Sequence, residues 1–463
     1  MGKSHVLIIP YPAQGHVMPM IELARYLVQQ GVKVTFVNTE VTQKAVTSNW
    51  QNTDGFDDLM MVSIPDGLEP WEDRTDLCKL TISILETMPG KLEELIEKIN
   101  KEDSNKLNCV IADGGMGWAI KVSKKMGIIS ALFQPASAAS LVPALCAQRL
   151  IEEGFISNNG IPLKNETIQL SETMPPIKPQ NLPWACFKDS ATIEAIFKVV
   201  SEVIEVSKMT EWYICNSTIE LEPAAFSMFP QLMPIGPLLA SNRLADQEGH
   251  FWQEDPTCLT WLDQQPECSV IYIAFGSFTI LNQTQFEELT LGLELSNRPF
   301  LWVLRPGMTK ETYPDGFMER VKSRGKIVSW APQQKVLAHP SVACFMSHCG
   351  WNSTIEGVTN GLPFLCWPYF ADQIQNETYI CDIWKTGLGF NKDESAIITR
   401  DEIKSKVDKL LSDKMFRSNA LDIKEKVTNS IKKGGCSNTN LTNFTEWIQK
   451  EATHDSTDQP DSM

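Results

Sequence analysis

Apolar positions along the chain follow two alternating rhythms. Short, nearly continuous apolar runs read as buried strands, and longer stretches with a 3.6-residue period read as helices. Val6 to Ile9 is the first such run, and Pro10 to Gly15 follows as a Pro- and Gly-punctuated loop. Met18 to Gln30 has helical spacing, with Met20, Leu23, Ala24 and Leu27 on one face; Pro19 suits a first turn and Gly31 a C-terminal cap. Val32 to Val37 is the next strand. Parallel strands require such crossovers, so this half is predicted to be a doubly wound α/β sheet. Further strands are predicted at Leu59 to Val62, Cys109 to Ala112, Ser130 to Phe133 and Trp212 to Cys215, with helices such as Leu85 to Ile99 between them.

Pro234, Gly236 and Pro237 break the rhythm, and the polar, acidic stretch that follows reads as a linker. A second strand series begins at Val270 to Phe275. It continues through Phe300 to Leu304, Lys326 to Ser329, Ala343 to Met346 and Pro363 to Cys366, with helices including Gln283 to Leu295 and Asp401 to Leu411. The prediction is α/β: two Rossmann-like doubly wound domains facing each other across a cleft, with ligands at the strand carboxyl ends. Their expected bounds are 1–237 for the first domain, 238–262 for the linker and 263–440 for the second. Residues 441–463 are expected as a C-terminal helix packing back on the first domain, with an acidic tail.

At 463 residues the chain is too long for one core, and 43% hydrophobic with 21% charged residues is an ordinary globular balance. A formal net charge of −16 argues against nucleic-acid or anionic-membrane partners. It does not exclude a phosphorylated ligand, because a helix start supplies a local positive field. No apolar run is long enough for a membrane span, and the first twelve residues lack a secretory pattern. A cytoplasmic monomer is expected. The twelve cysteines include no CxxC pair, and Cys344 with Cys349 finds no partner set for zinc, so buried reduced thiols and no metal are expected. The sequon at Asn352 also favours the cytosol, since a glycan there would cover the site described next.

The densest chemistry lies in the 44 residues from Trp330 to Gln373, WAPQQKVLAHPSVACFMSHCGWNSTIEGVTNGLPFLCWPYFADQ. Ala343 to Met346 is a strand, Ser347 to Gly350 a tight loop, and a helix is predicted to start at Thr354, capped by Asn352 or Ser353. Ser353-Thr354-Ile355-Glu356 fits a capping box, with Glu356 reaching back to the helix start. Unpaired N–H groups at such a start favour a diphosphate, and His348 can add a hydrogen bond. The Trp330 indole suits a planar base. Phe275-Gly276-Ser277, after the first strand of the second domain, is a candidate second phosphate turn.

This stretch closely resembles the signature box of plant secondary-product UDP-glycosyltransferases, and the resemblance extends from Val6 to about Trp447. It implies a GT-B fold and UDP-glucose as co-substrate, with no cofactor. It further implies that Trp330 stacks on uracil and that Ala331 and Gln333 lie beside base and ribose. His348, Asn352, Ser353 and Ser277 would contact the diphosphate, Glu356 the ribose hydroxyls, and Trp351, Asp372 and Gln373 the sugar. A terminal Gln in this box goes with glucose. For the acceptor side it points to Gly15, Met116, Gln134, Trp184 and Phe187, whose character suits a flat apolar phenolic, flavonoid or terpenoid. One departure stands out: Phe133-Gln134-Pro135-Ala136 lacks the early hydroxyl of many relatives, and Ser137 is the nearest.

His16 follows the first strand, and Asp113 ends the strand Cys109 to Ala112, so both should open onto the same sheet edge. Asp113 can then hold one ring nitrogen and stabilise the charge His16 gains, as in hydrolase triads but without the serine. Pro-x-Pro-x-Gln-Gly-His-x-x-Pro and the later Asp match the family's catalytic positions. The expected reaction is an inverting transfer of glucose to an acceptor hydroxyl, with His16 as base. A sugar-nucleotide epimerase or hydrolase and a non-catalytic UDP-sugar sensor are the rival readings. A dinucleotide oxidoreductase is disfavoured because no GxGxxG follows the first strand.

Overall fold

The computed structural model describes residues 3–48, 57–103, 105–238, 254–276, 279–305 and 313–454. It divides into two compact units, Met1–Phe251 with Asn429–Met463, and Trp252–Thr428.

The first unit holds strands β1 (His5–Ile9), β2 (Lys33–Thr39), β3 (Leu59–Ile64), β4 (Cys109–Asp113), β5 (Ile129–Gln134), β6 (Trp212–Cys215) and β7 (Leu232–Pro234). They form one parallel sheet in the order β3-β2-β1-β4-β5-β6-β7. β1 and β4 are consecutive neighbours, with Ile9 opposite Ala112, so the chain path reverses between them. In open α/β sheets that reversal opens a crevice at the strand carboxyl ends. The central strands β1 and β4 are buried at every residue because helices cover both faces.

The helix Gln14–Gln29 starts four residues earlier than its apolar period suggests, at the N-cap Ala13. Pro19 therefore sits inside it and not in the first turn; lacking an N–H, it cannot bond back to Gly15. Its end follows the expected chemistry: Gly31 takes φ +82°, and Val32 N–H reaches back to Leu27 O at 3.1 Å. This helix and the C-terminal helix Cys436–His454 cover one sheet face. Leu441, Phe444 and Ile448 are buried there, and Phe444 packs against Trp212 with the rings tilted. Each such side chain contributes about 2 kcal/mol.

The second unit contains β8 (Val270–Ala274), β9 (Phe300–Val303), β10 (Gly325–Val328), β11 (Val342–Ser347), β12 (Phe364–Cys366) and β13 (Gly387–Gly389). They form a parallel sheet in the order β10-β9-β8-β11-β12-β13, which repeats the first sheet's winding. Its switch point lies between β8 and β11. The stretch expected as a linker is folded where it is described: Thr257–Leu262 is a helix with Cys258 and Leu262 buried. Residues 239–253 lie outside the described residues.

Among the described residues no helix is long and apolar enough to cross a membrane. No group of three or more His, Cys, Asp or Glu among them is placed to hold a metal ion.

Candidate active site

At the first unit's switch point, His16 occupies the third position of the helix after β1, and Asp113 is the last residue of β4. His16 Nδ1 lies 2.8 Å from Asp113 Oδ2. A carboxylate only accepts, so Nδ1 carries the proton and Nε2 is left as the basic nitrogen. The second carboxylate oxygen is fixed by Gly115 N–H at 2.7 Å. Asp113 is fully buried, while 35% of the His16 side chain is exposed. The Tyr11 ring, 5.3 Å from the imidazole, braces it from the side. A partly exposed ring held at Nδ1 by a carboxylate has the chemistry of a general base. Tyr11 and the Gly115 amide were not legible as parts of the site: Tyr11 fills an unspecified position of the His16 motif, and Gly115 belongs to none.

The acceptor-side candidates are placed unevenly. Gly15 is exposed, and a Cβ there would meet nothing within 4 Å. Gln134 ends β5, and its Oε1 lies 3.1 Å from where a Gly114 Cβ would stand, so it approaches the Asp113 corner. Met116 directly follows that corner and is fully buried. Phe187 is half-buried in a loop. Trp184 is fully buried, donates its N–H to Gly160 O at 3.0 Å and packs on Phe197. These contacts account for it as a core residue. Ser137 is a helix cap, accepting from Ser140 N–H.

In the second unit the loop after β11 and the turn after β8 meet. A Cβ at Gly276 or at Gly350 would each stand 2.5 Å from His348 Nε2, so only glycine allows the imidazole between them. Ser277 lies outside the described residues. Burial lowers the His348 pKa to about 4, against a backbone hydrogen bond with Ala274. The ring is therefore neutral, and its Nδ1 is buried without a hydrogen-bond partner.

The following helix is Trp351–Thr359, capped by Gly350 and not by Asn352 or Ser353. The expected capping box does not form, because Glu356 faces Gln333 and Gln334 instead. The N-cap Gly350 has no side chain to bond the first turn, and a helix start of this kind carries partial positive charge. Gln333 Nε2 donates to Ser353 Oγ at 2.9 Å and to Glu356 Oε2 at 2.6 Å, and Tyr272 Oη–H donates to Gln333 Oε1 at 3.1 Å. Burial raises the Glu356 pKa to about 7, against the two amides, which lower it. Trp330 is partly exposed, and its carbonyl accepts from Asp255 N–H; Ala331 is buried beside it.

Asp372 and Gln373 close the box. Gln373 Oε1 accepts from Tyr369 and Phe370 N–H, so its amide NH2 is the end left to face a ligand. Asn376 Nδ2 ties Asp372 Oδ2 at 2.8 Å to Cys349 O at 2.9 Å, which joins the end of the box to the His348 loop. Trp351 is buried and packs toward Trp384. Asn376 escaped the sequence reading, although its i, i+4 spacing from Asp372 was a usable signal.

Two parallel Rossmann-like units, each gathering its polar chemistry at a switch point, define a glycosyltransferase of the GT-B class. The UDP-glucoronosyl and UDP-glucosyl transferase family signature matches residues 194–427. UDP-glycosyltransferase 83A1 of Arabidopsis thaliana is 44% identical, covering 97% of this chain and 98% of its own. 7-Deoxyloganetin glucosyltransferase of Gardenia jasminoides is 32% identical over 95% of this chain and 96% of its own. Among solved structures, Os79 from O. sativa in complex with UDP superposes with a TM-score of 0.80 at 26% identity, covering 96% of this chain and 100% of that one. Phytolacca americana UGT2 complexed with UDP-2fluoro-glucose and pterostilbene gives 0.79 at 25% identity, covering 96% and 99%. The chain belongs to this family and is a UDP-dependent glycosyltransferase.

Proposed function

We propose that the enzyme transfers glucose from UDP-glucose to a hydroxyl of a small apolar acceptor, with inversion at the anomeric carbon. The observation that carries this reading is the 2.8 Å contact between His16 Nδ1 and the buried Asp113 Oδ2, with the imidazole partly exposed. In this mechanism His16 Nε2 removes the acceptor proton and Asp113 stabilises the resulting imidazolium. The acceptor oxygen attacks the anomeric carbon as the bond to the UDP oxygen breaks on the opposite face. His348 and the start of the helix Trp351–Thr359 stabilise the charge on the departing diphosphate. Glu356 accepts from ribose hydroxyls, and Asp372 with Gln373 holds the hexose.

One relative and one solved structure support glucose and a small acceptor. The Gardenia jasminoides relative is named a 7-deoxyloganetin glucosyltransferase, and the UGT2 structure pairs a fluoroglucose nucleotide with pterostilbene. The test is an acceptor panel of phenolics, flavonoids and terpenoids with UDP-glucose. A hexose mass increment in the β configuration is expected, with negligible donor hydrolysis when no acceptor is present. Rapid UDP release without acceptor would favour a hydrolase, and UDP-glucose binding without any turnover would favour a sensor.

A further inference from the structure

Tyr272 lies in the middle of β8, is 1% exposed, and stacks on Phe345 of β11 with ring centroids 5.1 Å apart and planes 26° apart. Its backbone register also sets it opposite Phe345. Phe345 and its β12 neighbour Phe364 are pressed by the helix Trp351–Thr359 at Gly357, where an added Cβ would meet Phe364 Cζ at 2.4 Å. The phenol is therefore locked, and its one polar atom points at one acceptor, Gln333 Oε1.

Gln333 has a demanding position. Its NH2 serves Ser353 Oγ and Glu356 Oε2 together, which only one orientation of the amide allows. Ser353 and Glu356 both share the Gln333 amide, whereas its oxygen is held by the buried Tyr272 hydroxyl, a group with no other hydrogen bond among the described residues. We propose that Tyr272 is a positioning residue of the donor site: it fixes the Gln333 amide so that Ser353 and Glu356 stay preset for the nucleotide. This rests on the donor reading given above.

The charge environment agrees. Glu356 takes its raised pKa from burial and is lowered by Gln333 and Gln334. The other titratable groups near Tyr272 are Cys258 and Glu254, and Lys335 faces Glu254. A Gln333 amide that drifts gives Glu356 less help, so Glu356 keeps its proton to higher pH.

The experiment is titration calorimetry of UDP and of UDP-glucose, from pH 5.5 to 8.5, with the native enzyme and Tyr272→Phe. That substitution keeps the stacked ring and removes one hydroxyl. Native binding of UDP tests the donor reading itself, and its absence would end both claims together. Given native binding, Tyr272→Phe should raise the Kd of both nucleotides roughly fivefold and move the acid limb of binding to higher pH. Turnover at saturating donor should stay within about twofold of native. In a Gln333→Ala background the same substitution should have no further effect. Unchanged Kd and acid limb, a fall in turnover with Kd intact, or an equal penalty in the Gln333→Ala background would each overturn the assignment.

Discussion

The two units wind their sheets in the same order and place an imidazole at the same kind of edge, yet the two histidines live in opposite surroundings. His16 follows β1, the strand on one side of its reversal, and finds a buried carboxylate. His348 follows β11, on the other side of its own reversal, and finds two glycines. The first ring is partly open and has a counter-charge waiting. The second is held neutral, with a pKa near 4. One fold thus makes two kinds of histidine: one set beside a buried carboxylate that favours a proton on its ring, the other kept neutral by burial. The lesson is that the residue across the switch point sets the chemistry of the ring, while the sheet only delivers it to the edge.

The sharpest way to break this contrast is to remove each ring in turn. His16→Ala should lower kcat by roughly 10²–10⁴-fold and leave UDP affinity unchanged in calorimetry. His348→Ala should lower kcat by about 10²–10³-fold and weaken UDP binding as well, since in the proposed mechanism it removes a donor to the leaving group. If both variants lost turnover with UDP affinity intact, the division of labour between them would be wrong. Asp113→Asn sharpens the same contrast at smaller scale. It preserves shape but lets the amide donate, which favours the wrong His16 tautomer, so kcat should drop about 10²-fold. The loss should fall on kcat at saturating acceptor and donor, with neither KM changed by more than about twofold.

Much of this was legible in the chain because it depends on short-range chemistry. Eleven strands announced themselves as apolar runs. β7 and β13 did not: each is three residues long, and Met233-Pro234 and Gly387-Leu388-Gly389 carry no strand signature. Both are edge strands, where pairing on one side suffices and a proline is tolerated. The His16–Asp113 pair was readable because each follows a strand that the reversal brings side by side. The capping box at Ser353 was misread because local sequence cannot reveal that Gln333 and Gln334, some twenty residues away, compete for Glu356. Trp184 shows a similar limit: an indole is as good a core residue as a pocket wall, and its burial and bond to Gly160 could not be read from the sequence.

The smallest effect concerns stability, and it sets Glu356 against His348. The folded pKa of His348, near 4, is below its ordinary 6.5, so it withdraws stability as pH falls from 6.5 toward 4. The folded pKa of Glu356, near 7, is above its ordinary 4.5, so it adds stability as pH falls from 7 toward 4.5. Each is worth at most about 3 kcal/mol over its window, and less where solvent reaches the partly exposed side chains. Between pH 4.5 and 6.5 the two nearly cancel. Glu356→Gln removes one side of that balance: it should raise the melting temperature of the empty enzyme at pH 8 by a few degrees, about 1–2 kcal/mol. It should also make the enzyme lose stability more steeply than native as the buffer is taken from pH 6.5 to 5, because the His348 cost is then unopposed. Thermal melts of the two proteins across that range decide it. Parallel curves would mean that the carboxylate is charged in the empty enzyme at no cost in stability.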